Sequence, residues 1–252
     1  MARTQEAAAL TEQHRLVQLG IRGQALRDFT RLWPLWAPAN PQSFADLVAA
    51  TTTLVRAYHP ISAGVAASYF TAFRAAEAVD GDAVSVLASV PADAMVAASL
   101  YATGEHATRQ AIDAGRAPEY AMQAAFVRTS GAVTRHILDG GRDTILQSAE
   151  RDEKALGWAR VTDADPCYFC LTLAARGPVY KTETAADFQA HDHCGCTAEP
   201  FYRGAAWPGR AREFRDTYEA AQQHGLDQGL LQPGENSSKA RLNAVRRYLA
   251  AR

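Results

Sequence analysis

Apolar side chains recur at three- and four-residue intervals through the first 150 positions, and this pattern predicts helices joined by short breaks. Glu6–Leu19 reads as a first helix ended at Gly20, and Gln24–Trp33 as a second ended by Pro34. Pro34–Pro41 contains three prolines around Trp36 and is expected to be a loop. Ser43 is placed as the cap of a helix reaching about Tyr58. His59-Pro60 marks the next boundary, because a residue before proline avoids the helical region. Ser62–Val79 then offers Val65, Tyr69, Phe73 and Ala76 on one face. Asp80-Gly81-Asp82 is a turn. Ala92–Ala114 forms one helix or two, weakest at Gly104. Pro118 opens a long helix to about Leu138, with Met122, Phe126, Val133 and Ile137 on its apolar side. Gly140-Gly141 breaks it, and Arg142–Lys154 follows as another helix.

Near Gly157 the period changes. Trp158–Thr162 alternates as a strand does, Asp163–Pro166 is a turn, and Val179–Lys181 and Cys194–Ala198 are further strand candidates. Helix returns from Pro200 onward. A helix over 209–223 carries Phe214, Tyr218 and Ala221 on one face. Gly225–Gly234 is a break, and Ser237 or Ser238 caps a last helix with Leu242, Val245 and Leu249 on its apolar side. No repeat of 20–50 residues is present. The fold class expected is mainly α: a helical N-terminal domain over 1–155, a small α+β module over 156–202 that holds all four cysteines, and a helical, basic tail over 203–252.

Composition changes this picture little. Of the 252 residues, 48% are hydrophobic and 21% charged, with a formal net charge of −1, so no global field calls for nucleic acid or an anionic membrane. Ala83–Leu100 is the most apolar stretch, but Pro91 and Asp93 interrupt it, so no membrane span is expected. The first residues lack the apolar run of a signal peptide, which points to a reducing cytoplasm.

Cysteine placement changes the picture most. All four cysteines fall between 167 and 196. Such clustering in a reducing compartment points to metal and away from disulfides. Cys167-Tyr-Phe-Cys170 puts two thiolates on one tight turn. His191-Asp-His-Cys-Gly-Cys196 then supplies two imidazoles and two thiolates. A structural Zn²⁺ takes four such ligands as a tetrahedron, often two from each of two knuckles. Cys167 and Cys170 form one half. The other half is His191 with Cys194, or His193 with Cys196, or both Cys194 and Cys196, with the surplus groups as outer donors. A segment of about 45 residues buries too little apolar area to fold alone, which favours a staple. A catalytic zinc would need an open position and a base such as Asp163, Asp165 or Asp192. A thioredoxin-like redox pair lacks its βαβ frame.

The run Trp158-Ala-Arg-Val161, Cys167-Tyr-Phe-Cys170, Leu173-Ala-Ala-Arg-Gly-Pro-Val-Tyr180 and His191-Asp-His-Cys-Gly-Cys196 resembles the MuF-type head morphogenesis module. That module occurs in minor capsid proteins of tailed bacteriophages and actinobacterial prophages. The likeness covers about 45 residues closely and matches the helical N-terminal region only in general character. It implies that Cys167, Cys170, His191 and one or both of Cys194 and Cys196 bind the metal. It also implies a structural role in head assembly near the portal, within the procapsid and virion, with portal, scaffold or major capsid protein as partner.

Proteins of the actinophage branch it resembles are often labelled capsid maturation proteases, usually where a protease domain is fused. Ser130, His136 and Asp139 lie close in sequence, as do His59 and Ser62, but neither set has a G-x-S-x-G elbow. His14, His59, His106 and His136 read as helix-surface or capping residues. From Phe201 on, nine basic and five acidic residues give a net of +4. Arg203, Arg210, Arg212, Arg215, Lys239, Arg241, Arg246, Arg247 and Arg252 either touch packaged DNA or form a solvated face. Arg15, Arg22, Arg27 and Arg31 fit exposed helix faces, and Trp33 and Trp36 fit either a docking loop or core packing. Three function classes follow: a structural head-assembly protein, a maturation protease, and a zinc-dependent DNA-binding protein.

Overall fold

A computed structural model describes residues 4–40, 42–162, 165–181, 188, 190–207, 210–235 and 237–251. Three long helices dominate: α1 (Gln5–Leu32), α2 (Ser43–Ala76) and α5 (Pro118–Arg151). Between them lie a 3-10 turn at Trp33–Leu35 and two shorter helices, α3 (Asp93–Tyr101) and α4 (Ala107–Asp113). The strands are β1 (Ala155–Val161), β2 (Pro178–Tyr180) and β3 (Thr197–Tyr202), with α6 (Tyr168–Ala174) between β1 and β2. Helices α7 (Ala211–Asp227) and α8 (Ser238–Ala250) complete the described chain. The expected mainly helical architecture with a small α+β portion is therefore present.

The long helices correct three expected breaks, and the reason is tertiary packing. Gly20 does not end the first helix: α1 runs through it, starting from Thr4, whose hydroxyl accepts the Ala7 N–H at 3.1 Å. His59-Pro60 does not end the second. Pro60 sits on an exposed position inside α2, while Thr51, Val55, His59, Ser62, Ala63 and Ala66 around it are buried. The lost backbone hydrogen bond and the clash of the proline ring with the preceding turn together cost about 3 kcal/mol, which burial along 34 residues overrides. Gly140-Gly141 does not break α5. A Cβ on Gly140 would stand 2.5 Å from the His59 carbonyl, and one on Gly141 2.6 Å from Gln18 Nε2. These glycines let three helices approach closely.

Other expectations shift by smaller amounts. Gly104 is a weak point, as read: it lies in a five-residue π turn, Ala102–His106, between α3 and α4. A Cβ there would meet the Phe44 ring at 2.5 Å. Ser43 is not a cap, because its hydroxyl reaches back to the Ala37 and Asn40 carbonyls. Ser237 caps α8 by accepting the Ala240 N–H at 3.3 Å. Trp33 and Trp36 pack in the core, edge-on to each other and against Phe126 and Phe44 respectively. His14, His59 and His136 are buried, contrary to the surface or capping role read for them, whereas His106 is exposed. Arg27 and Arg31 are exposed, but Arg15 is half-buried against Glu12, and Arg22 reaches the His193 carbonyl at 3.2 Å. Among the described residues no helix is long and apolar enough to cross a membrane.

The sheet is antiparallel, in the order β2-β1-β3. Gly157 pairs with Tyr180, and any Cβ on it would collide with the Val179 carbonyl at 1.9 Å. Helix was expected from Pro200 onward. Instead Pro200 lies in β3 opposite Trp158. β3 is an edge strand, where the missing N–H of proline is tolerated. The third strand begins at Thr197, three residues after the expected start, because the chain turns at Asp192–His193 and the following Cys194–Cys196 is not paired into the sheet.

Three apolar clusters organise the molecule. Phe29, Trp36, Phe44, Leu47, Leu100, Val133 and Ile137 fill the first, among the helices of the N-terminal half. The second joins Tyr69, Phe70, Phe73 and Ile145 of α2 and α5 to Trp158, Cys170, Cys194, Cys196 and Tyr202. The sheet and knuckles thus share a core with the helical body. The third packs Leu171 and Ala174 of α6 on Phe214, Ala221 and Val245 of α7 and α8.

Candidate metal centre

The C-x2-C pair is a helix start. Cys167 is the N-cap of α6, in extended conformation, and its Sγ accepts the Cys170 N–H at 3.5 Å. Capping by a thiolate aims both sulfurs from the first turn toward the same point. The second half is a tight turn closed by the Cys194 N–H on the His191 carbonyl at 3.1 Å. Its corner, His193, has φ +64°, in the left-handed region. Two long-range bonds hold that corner: His193 Nε2 to the Val127 carbonyl at 2.7 Å, and Arg22 to the His193 carbonyl. Gly131 makes room for it, since a Cβ there would stand 2.7 Å from Asp192 and 2.8 Å from the His193 ring.

These two turns bring five of the six sequence candidates together. His191 Nε2 lies 3.0 Å from Cys167 Sγ and 3.3 Å from Cys170 Sγ. Cys170 Sγ is 3.5 Å from Cys194 Sγ. Two groups result, Cys167–Cys170–His191 and Cys170–Cys194–Cys196, each with its donor atoms within 4.8 Å of one another. Cys170 belongs to both. His193, the sixth candidate, directs its imidazole to α5. Asp192 forms an ion pair with Arg135 at 3.0 Å, Asp165 is exposed, and Asp163 lies outside the described residues.

Proton positions follow from the contacts. The hydrogen bond with Cys170, then that with His191, draws Cys167 down to about 4. The same Cys167 contact pushes His191 up to about 9. Cys194 is also held down, chiefly by hydrogen bonds from Cys170 and Cys196, with the Arg142 charge assisting. Cys170, between them, is pushed up by its bond to Cys167. A thiolate facing an imidazolium, with a second thiolate nearby, is a donor set from which a divalent cation displaces protons. Tetrahedral zinc with Zn–S of about 2.3 Å needs sulfurs about 3.8 Å apart; each triad fits with small shifts, and a fourth ligand joins the Cys167–Cys170–His191 triad only by moving inward, because no four of these donors lie within 4.8 Å of one another.

The sequence reading missed the arginines around this cluster. Arg142 is only 2% exposed. It donates to the Cys194 carbonyl at 2.7 Å and the Cys196 carbonyl at 3.1 Å, and pairs with Asp139 at 2.8 Å. Arg160 approaches Cys194 Sγ at 3.9 Å. Both guanidiniums lie over the Phe188 ring, at 5.1 Å and 3.8 Å. One sequence signal marked Arg142: it interrupts the helical stripe Leu138–Arg142–Ile145–Ala149, whose other members are buried. The hydroxyls of the two candidate triads have other uses. Ser130 donates to the Val127 carbonyl and Ser62 to Gln18 Oε1, while His59 Nδ1 meets the His136 carbonyl.

Fold and site define a mainly helical protein with a small antiparallel sheet and a thiol–imidazole cluster close enough to hold a metal. The chain belongs to the VG15 protein family, whose family model matches residues 1–221. It is also similar to the "Gene 15 protein" of Mycobacterium phage D29, 29% identical over 170 residues, covering 50% of this chain. The match spans 60% of that relative's length. These likenesses place the chain in a phage protein family. No solved structure matches it.

Proposed function

We propose that the protein is a MuF-like minor component of the phage head, acting in procapsid assembly near the portal, with one structural zinc in residues 167–196. The observation that carries this reading is the convergence of Cys167, Cys170 and His191 with Cys194 and Cys196 in a chain of a phage family. Cys167, Cys170 and His191 supply three ligands and Cys194 or Cys196 the fourth. Zinc so held cross-links α6 to the turn before β3 and leaves no position for substrate. Portal, scaffold or major capsid protein is the expected partner.

Two measurements test it. Metal analysis of purified protein is expected to find about one zinc per chain; a fully folded, metal-free chain would rule the zinc out. Antibody detection is expected to find the protein in purified procapsids and virions at low copy number. Its absence from both particles would rule out the head role.

A further inference from the structure

Beyond the metal cluster, a cleft of about 620 Å³ opens between α6, α7 and α8. Arg176, Arg215 and Arg241 line it, together with the rings of Phe169 and Tyr218. Among the described residues the one carboxylate in the lining, Glu219, is paired with Arg215 at 2.9 Å. Arg241 is oriented by its Nε bond to the Glu235 carbonyl at 2.9 Å. Of the basic residues on α8, Arg241 faces the cleft, whereas Lys239, Arg246 and Arg247 are exposed outside its lining.

We propose that this cleft binds a single-stranded segment of nucleic acid, its phosphates on the arginines and a base against Phe169 or Tyr218. Three features favour this ligand. A charge run on a helix is ordinarily a convex, solvated face, but Arg176, Arg215 and Arg241 converge in a concavity within the size range of ligand sites. Guanidinium forks match phosphate oxygens two at a time. Aromatic rings beside a cationic groove provide stacking that an acidic peptide does not need. Stacking on Phe169 or Tyr218 needs an unpaired base, which selects a single strand over a duplex. The proposal goes beyond the head-assembly reading and uses none of the metal-ligand candidates.

The test uses the full-length, metal-loaded protein and fluorescence anisotropy with a labelled single-stranded DNA oligonucleotide. A duplex of the same sequence and a polyglutamate peptide serve as parallel probes. Single strand is expected to bind best, with strong salt dependence. Arg176→Glu and Tyr218→Ala should each weaken it about tenfold or more. Arg176→Gln, which removes the charge without reversing it, should weaken it less but lower the salt slope by about 0.7. Arg109→Glu, the same charge change on α4, should have little effect. Metal content and thermal melting of each variant are measured on the same samples, so that loss of the metal and loss of DNA binding are read separately. No salt-sensitive binding by the wild type, preference for duplex or polyglutamate, or equal weakening by Arg109→Glu would each overturn the proposal.

Discussion

The helical body and the segment from β1 to β3 are held together by different means. In the body, α1, α2 and α5 meet along whole helix lengths, and the polar groups inside are largely neutral. Gln18 bonds Ser62. His14 stacks on Tyr69 at 4.3 Å and bonds Thr197 at 3.0 Å. In the sheet segment, few residues are available and charge is concentrated. Four thiols, His191 and Arg160 share one small volume with Arg142 of α5, and the Arg74–Asp152 pair at 2.9 Å ties the end of α2 to the end of α5 and, through Tyr202, to β3. Distributed packing tolerates the loss of one group. A short segment that depends on a few directional groups does not.

The largest effect is therefore expected at Cys170, the sulfur common to both donor groups. Cys170→Ser should bring bound zinc from about one per chain to near zero and destabilise the sheet segment by several kcal/mol. Metal analysis with calorimetry checks this; unchanged zinc content would show that Cys170 is not a ligand. Arg142 comes next. Arg142→Met keeps the bulk but leaves Asp139 and two knuckle carbonyls without their donor, so a loss of about 3–5 kcal/mol is expected. A urea midpoint that barely moves would mean the carbonyls find other donors.

The body should respond to acid through His14. Burial holds its folded pKa at about 4, below the ordinary histidine value of 6.5. The unfolded chain therefore binds the extra proton first, and stability falls as pH drops from about 6.5 toward 4. The loss approaches about 3 kcal/mol. His14→Gln cannot take up that proton. Wild type minus variant, followed by urea unfolding across this window, should show the slope; identical profiles would place the acid sensitivity elsewhere.

How much of this was legible follows the same division. Strand positions at Trp158 and Val179, the Gly104 irregularity and the two cysteine halves were readable because period and spacing are local properties. The continuity of α1, α2 and α5 was not. Proline and glycine report local cost, while the packing that overrides it lies many positions away. At the site, spacing brought forward six donors but could not separate His191 from His193, because that depends on where the Val127 carbonyl lies. Arg142 was visible only as a charge inside an apolar stripe.

Gly140 and Gly20 give the sharpest small test, since both sit inside helices and both were read as breaks. They differ only in what surrounds them. A methyl on Gly140 would press on the His59 carbonyl at 2.5 Å, which is backbone and cannot swing away, whereas Gly20 has nothing within 4 Å. Gly140→Ala should therefore cost about 1–3 kcal/mol by forcing α2 and α5 apart. Gly20→Ala should stabilise by about 0.5–1 kcal/mol, because alanine loses less freedom on entering a helix. Thermal melting of the two variants side by side should give shifts of opposite sign. Two shifts of the same sign would mean that local propensity, and not the distance between helices, decides the outcome in this body.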